Sequence, residues 1–214
     1  MPRPAASLPV AHRLALALAG MVGVAVGVAS LIRAALGVAP YDVLTTGLAE
    51  ATGWPIGLAA TILPAALTVV GTLIGRRPGL GTILAVVLIG PMLGATLEVL
   101  PESEALAVRV PVFVLGFAVL SVAITAIIAA DLGEGPAELV MMAIAERGHG
   151  IAATRTAMEV VCVAVGWLLG GQVGVGTLVV AVLLGPVLRR TLAVAGVPAA
   201  AAPPAGPAPA AEPA

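Results

Sequence analysis

The chain carries its main pattern twice. Leu36-Gly37-Val38-Ala39-Pro40-Tyr41-Asp42 returns as Leu132-Gly133-Glu134-Gly135-Pro136-Ala137-Glu138, at an offset of 96 residues. Gly79-Leu80-Gly81-Thr82 returns as Gly174-Val175-Gly176-Thr177, and Gly90-Pro91 as Gly185-Pro186, both at an offset of 95. One residue is therefore lost from the second copy, between Glu146 and Gly148. Arg13 and Gly20 match Arg109 and Gly116, so each copy begins one apolar segment ahead of its Leu-Gly motif. A duplication of this kind, in so apolar a chain, predicts a membrane protein of two related halves.

Composition supports this. The chain is 60% hydrophobic and only 10% charged, with a mean hydropathy of +1.15, whereas soluble domains carry about 25% charged residues. Aromatics are 2%, so close packing must come from backbones approaching over small residues. A net charge of −1 gives no footprint for nucleic acid. The lone Cys162 excludes an intramolecular disulfide and a cysteine metal cage.

Six segments are long and apolar enough to span, near residues 14–36, 56–75, 80–99, 110–130, 151–170 and 176–194. The first resembles a signal peptide, but its match to the segment carrying Arg109 and Gly116 predicts that it is retained. Orientation follows the arginines. With the N-terminus inside, Arg3, Arg13, Arg76, Arg77, Arg147, Arg155, Arg189 and Arg190 fall on the cytoplasmic side, and only Arg33 and Arg109 fall outside. Three crossings per half is an odd number, so the halves must lie in opposite senses. The expected fold is all-α and polytopic: six transmembrane helices as two inverted-topology three-helix repeats, with cytoplasmic termini. The divisions are an N-terminal segment 1–12, repeats 13–99 and 109–194, a linker 100–108, and a disordered Pro/Ala-rich tail 195–214.

After its first span each half has a shorter piece, Pro40 to Thr52 and Pro136 to Arg147. Each opens with Pro and has an acid two residues later, a helix start with a carboxylate near the positive dipole end. At about 12 residues, roughly 18 Å, neither can span. Each lies at the interface or re-enters the membrane. Short Gly/Pro-interrupted helices at matching positions of two halves point to a transporter binding site. The simpler reading, which is preferred, is a tight turn feeding a helix on the membrane surface. Asp42 and Glu138, like Glu50 and Glu146, then read as helix-end charges before they read as ligands.

Glu159 is the sharpest single residue. It sits about eight residues into the fifth segment, hence roughly 12 Å deep, and its counterpart in the first half is Pro64. A carboxylate there costs at least about 2.5–3.5 kcal/mol unless it is paired or wetted. Arg155, one turn earlier on the same face, is its expected partner. Together with Asp42 and Glu138, this pair forms the candidate substrate- or ion-binding set. The bland alternative is a structural pair that fixes helix rotation. Thr61, Thr156, Thr82 and Thr177 are expected only to bond their own helices. His12 and His149 lie near segment ends without metal-ligand spacing. Gly71/Gly75 recurs as Gly166/Gly170, a small-xxx-small pattern that predicts helix packing of the second span on the fifth. No catalytic constellation, phosphate loop or metal set is present, so neither an enzyme nor a cofactor is expected.

The motifs Leu-Gly-x-x-Pro-Tyr-Asp at 36–42, Arg-Pro-Gly-Leu-Gly-Thr at 77–82 and Gly-Trp-Leu-Leu-Gly-Gly-Gln-Val-Gly-Val-Gly-Thr at 166–177 resemble the YczE/YitT-like family of small bacterial integral membrane proteins. The similarity covers nearly all of residues 13–192. It implies a polytopic inner-membrane protein and names no chemistry. Many relatives carry Trp where this chain has Tyr41, and Arg-Asp where it has Ala137-Glu138, so a basic residue beside the second short helix is missing here. Arg155 and Glu159 match the family pattern. The expected function is small-solute transport through a polar site between the repeats. The alternative is a non-transporting accessory, assembly or regulatory partner of another membrane protein. The expected contacts are the lipid bilayer, a small solute or ion, and a membrane protein partner or second copy.

Overall fold

The computed structural model describes residues 9–197; Arg3, at the N-terminus, and the Pro/Ala tail from 198 onward lie outside the described residues. All regular structure among the described residues is helical, in the order α1 (Val10–Ala34), α2 (Pro40–Thr52), α3 (Ile56–Leu73), α4 (Leu80–Val99), α5 (Leu106–Ala130), α6 (Pro136–Ala145), α7 (Ile151–Leu168) and α8 (Val175–Val194). Six of these, all but α2 and α6, are long and apolar enough to cross a bilayer. Lengths recur between halves: α1 and α5 have 25 residues each, α3 and α7 have 18, and α4 and α8 have 20. The chain is an integral, multi-pass membrane protein.

α1 and α5 form the central pair and run antiparallel. Arg13, near the start of α1, donates from Nε to the Ala130 carbonyl at 2.9 Å and from Nη2 to the Asp131 carbonyl, at the end of α5. Arg109, near the start of α5, donates from Nε to the Ala34 carbonyl at 2.6 Å and from Nη2 to the Ala35 carbonyl, at the end of α1. Each arginine thus satisfies carbonyls that the partner helix leaves open at its C-terminus. The two helices start about four residues ahead of their apolar windows, so that Arg13 and Arg109 fall within their first turns. Between these caps, Gly20, Gly23 and Gly27 meet Ile127, Ala123 and Leu120, while Gly116 meets Ser30.

The short helices cross between halves, α2 lying on α7 and α6 on α3, whereas α4 packs on α1 and α3, and α8 on α5, within their own halves. Gly176 donates its N–H to the Leu36 carbonyl at 2.7 Å, and Gly81 donates to the Leu132 carbonyl at 2.8 Å. The Leu-Gly turn of each half therefore receives the start of the other half's last helix. Thr82 does more than bond its own helix. Its Oγ1 accepts from the Gly79 N–H at 3.1 Å and donates to the Glu134 carbonyl of the other half.

Two expectations are corrected here. α3 and α7 do not pack on each other; across the halves it is α1 and α5 that meet. Of the four recurring glycines, Gly71 faces Leu139 of α6 and Gly166 faces Val43 of α2. Gly75 and Gly170 are not crossing residues at all. They sit just past the ends of α3 and α7 at φ +100° and +89°, a left-handed position that ends helices and suits Gly. Arg76 N–H to the Gly71 carbonyl (3.0 Å) and Gly171 N–H to the Gly166 carbonyl (2.8 Å) complete the two matching helix stops. The spacing of four residues reflected one crossing plus one stop, repeated.

The short helices are also not surface-lying. Val43, Thr45, Thr46, Gly47 and Ala49 of α2 are buried, as are Leu139, Val140, Met141 and Ala143 of α6. Both are wedged into the bundle, because small residues on α7 and α3 leave room for a helix beside them. Large apolar side chains such as Val69, Leu115, Val122, Val161 and Val182 point outward, as a lipid-facing surface requires.

Candidate functional site

α2 seats Val43 and Gly47 against Gly166, so its first turn lies beside the middle of α7. α6 is placed likewise on α3, with Leu139 on Gly71. As a result both short helices aim their N-terminal turns into one cavity of about 300 Å³ at the centre of the bundle. Pro40, Tyr41 and Asp42 enter from one side, and Pro136, Ala137 and Glu138 from the other. Arg155, Met158, Glu159 and Cys162 of α7 form a third wall. The rest is apolar, with Val24, Val28, Ala60, Pro64, Ile89, Leu93, Leu120 and Ile124 among the lining residues.

All four candidate residues thus face a single space. Arg155 Nε donates to Glu159 Oε1 at 2.9 Å, the expected one-turn pair. Asp42 and Glu138 sit in the first turns of α2 and α6, where the helix dipole favours a carboxylate. Neither has an ion-pair partner among the described residues. The Glu138 carboxylate folds back over Gly135 at the start of α6, so helix-end stabilisation accounts for Glu138 better than for Asp42. Glu138 is exposed at the cavity margin, whereas Asp42 is half-buried.

Glu50 and Glu146, in contrast, stay away from the cavity. Glu50 lies against Gly170, and Glu146 takes Arg76 Nη1 at 2.6 Å. Arg76 also pairs with Glu134, and that carboxylate's hydrogen bond holds its guanidinium above the ordinary arginine range. His12 and His149 are exposed. Among the described residues no cluster of three His, Cys, Asp or Glu side chains is placed to hold a metal ion.

Tyr41 was not in the candidate set. Its hydroxyl is buried and has no hydrogen-bond partner among the described residues, although it lines the cavity. The sequence did hold a signal for it. Glu159 stood out because a polar residue replaced Pro64 of the other half, and Tyr41 replaces Ala137 in the same sense. Arg155 against Ala60 is a third such substitution, and all six positions line this one space.

A second, more open hollow of about 800 Å³ lies at the Arg33/Arg109 end, bordered by Glu98, Glu102 and Glu104. Arg33 pairs with Glu102 there.

The chain matches, over residues 11–192, a family described as of unknown function, DUF6198. A membrane protein of Bacillus subtilis, YczE, is 32% identical over 177 residues, covering 81% of this chain and 82% of the relative. A Haemophilus influenzae protein, described as uncharacterized, is 31% identical over 165 residues, covering 77% of this chain and 76% of its own. No solved structure gives a significant match. Their span from the first helix to the last brings the Leu-Gly turns, the short helices and the α7 pair within one shared frame, and the chain belongs to this YczE-like family of membrane proteins.

Proposed function

We propose that the protein is a small-solute transporter of the bacterial inner membrane, working as two inverted three-span repeats with its solute site between them. The observation that carries this reading is the central cavity, on which unpaired acids from α2 and α6 and the Arg155–Glu159 pair of α7 converge. A structural ion pair needs no cavity beside it. A solute site does, and a few polar groups in a largely apolar cleft are its usual form.

The inverted arrangement is supported by the antiparallel α1–α5 pair and by the exchanged seats of the short helices, α2 on α7 and α6 on α3. The arginine bias favours cytoplasmic termini. In this reading Glu159 is the proton or cation site, and Arg155 fixes its position. The short helices re-enter the membrane from opposite faces, and movement of α2 or α6 admits solute from its own side. The protein carries out no covalent chemistry.

The test is a proteoliposome uptake screen over small cationic, anionic and neutral solutes, comparing wild type with Glu159→Gln. Wild type is expected to accumulate at least one solute class, with Glu159→Gln slower by about tenfold or more, a loss of roughly 1.4 kcal/mol. Equal flux in both proteins, or flux in neither, would overturn transport and leave the accessory-partner role.

A further inference from the structure

The nature of the solute can be narrowed from the cavity's own charges. This step deepens the transport reading and rests on it for the cavity's being a solute site. Asp42, Glu138 and Glu159 bring three carboxylates, and Arg155 brings one guanidinium already committed to Glu159. The N-terminal ends of α2 and α6 contribute about half a positive charge each. The sum is roughly one negative charge. An anion is disfavoured on a second ground. The places where it would sit, at the two helix N-termini, are held by the chain's own Asp42 and Glu138.

The acceptors define the head group. Asp42 has no ion-pair partner among the described residues, and the Tyr41 hydroxyl is buried without a hydrogen bond. An unpaired buried hydroxyl is unfavourable, so the position is one that a polar ligand atom would relieve. Among the described residues Tyr41 is the only aromatic one lining the cavity, so they form no aromatic cage to hold a quaternary ammonium by its faces. What remains is a head that donates hydrogen bonds while carrying one positive charge. The apolar walls of α1, α3, α4 and α5, including Val28, Pro64, Leu93 and Ile124, suit a compact hydrocarbon body. A bare metal ion would leave that surface unused, and among the described residues no set of three His, Cys, Asp or Glu side chains converges on one.

We infer that the cavity binds a small amphiphilic primary amine in its protonated form, with the ammonium group on Asp42 and the Tyr41 hydroxyl and the apolar body against α3, α4 and α5.

The test is equilibrium binding to the full-length protein purified in detergent, by calorimetry, which does not depend on transport. The probes are phenethylammonium, its trimethylated quaternary analogue, the neutral 2-phenylethanol and the anionic 3-phenylpropanoate. Phenethylammonium is expected to bind at least about tenfold more tightly than each of the others. Asp42→Asn, nearly isosteric, should weaken it by about tenfold or more, and Tyr41→Phe by a few-fold. Thermal melts of both variants establish that they fold. If Asp42→Asn does not fold, Tyr41→Phe together with the probe ranking decides the matter. Amine binding without flux in liposomes would keep this site and remove transport. Flux of another solute class, with phenethylammonium not bound or no tighter than its alcohol, carboxylate or quaternary counterpart, would overturn the amine site and keep transport.

Discussion

The two short helices occupy matching places and are held there by different forces. α2 is seated on α7 by backbone contact: Gly47 faces the Gly166 carbonyl, Gly171 lies against the Val43 carbonyl, and the Gln172 N–H donates to Thr46 Oγ1 at 3.1 Å. α6 meets α3 through the Leu139 side chain on Gly71 and is tied at its ends by charge. There Arg76 reaches Glu134 ahead of α6 and Glu146 just after it, while Arg147 donates to the Ile74 carbonyl at 2.8 Å. Steric fit between backbones is short-ranged and insensitive to salt. Exposed ion pairs are weak and easily exchanged for water. The molecule therefore has one rigid seat and one yielding seat around the same cavity, and in the transport reading α6 is the helix that moves first.

The most damaging way to probe this contrast is to add one methyl group to each seat. A β-carbon on Gly166 would lie 2.5 Å from the Val43 carbonyl carbon, which is backbone and cannot turn aside. Gly166→Ala should therefore cost about 1–3 kcal/mol or prevent folding. Gly71→Ala places its methyl 3.0 Å from the Leu139 β-carbon, a contact that a small shift relieves, and should cost under about 1 kcal/mol. Thermal unfolding in detergent checks both, and equal shifts would break the comparison.

A smaller effect is expected from Arg76→Gln. Global stability should fall by about 1 kcal/mol or less, since the paired side chains are partly exposed. Amide exchange in α6 should quicken several-fold while that of α2 stays unchanged. Smaller again is the response of wild type to salt. Raising ionic strength toward 1 M shortens the screening length to about 3 Å, so exchange should rise modestly in α6 alone. Acceleration of α2 to the same degree would show that both seats yield alike. Least of all, Glu146→Gln should change stability by under about 0.5 kcal/mol, because Glu134 still holds Arg76.

Much of the scaffold was readable before any coordinates. Spans emerge from long apolar runs because a helix in lipid satisfies its own backbone, leaving hydropathy as the main signal. The Arg155–Glu159 pair was readable for a similar reason: one-turn spacing fixes the geometry within a single helix. What failed were readings that needed contacts between helices. The Gly71/Gly75 repeat looked like a crossing face, yet Gly75 ends a helix, and sequence spacing alone does not separate the two uses of glycine. Placing α2 and α6 on the surface failed because their burial depends on the small residues of α7 and α3, far away in the chain. Tyr41 was overlooked although its mismatch with Ala137 was visible. Comparing the halves position by position, and asking where a polar group stands against an apolar one, would have found it.

The crossed arginines have a consequence for how the chain is made. Ala35 and Asp131 close α1 and α5 in the left-handed region, at φ 49° and 52°, a conformation that costs a non-glycine residue about 1 kcal/mol or more. Arg109 and Arg13, each borrowed from the opposite half, tie down the carbonyls at these points. Before the fourth crossing emerges, water takes the place of Arg109 on the carbonyls at the end of the first helix. The arginine caps on both opening helices therefore form only when α1 and α5 dock.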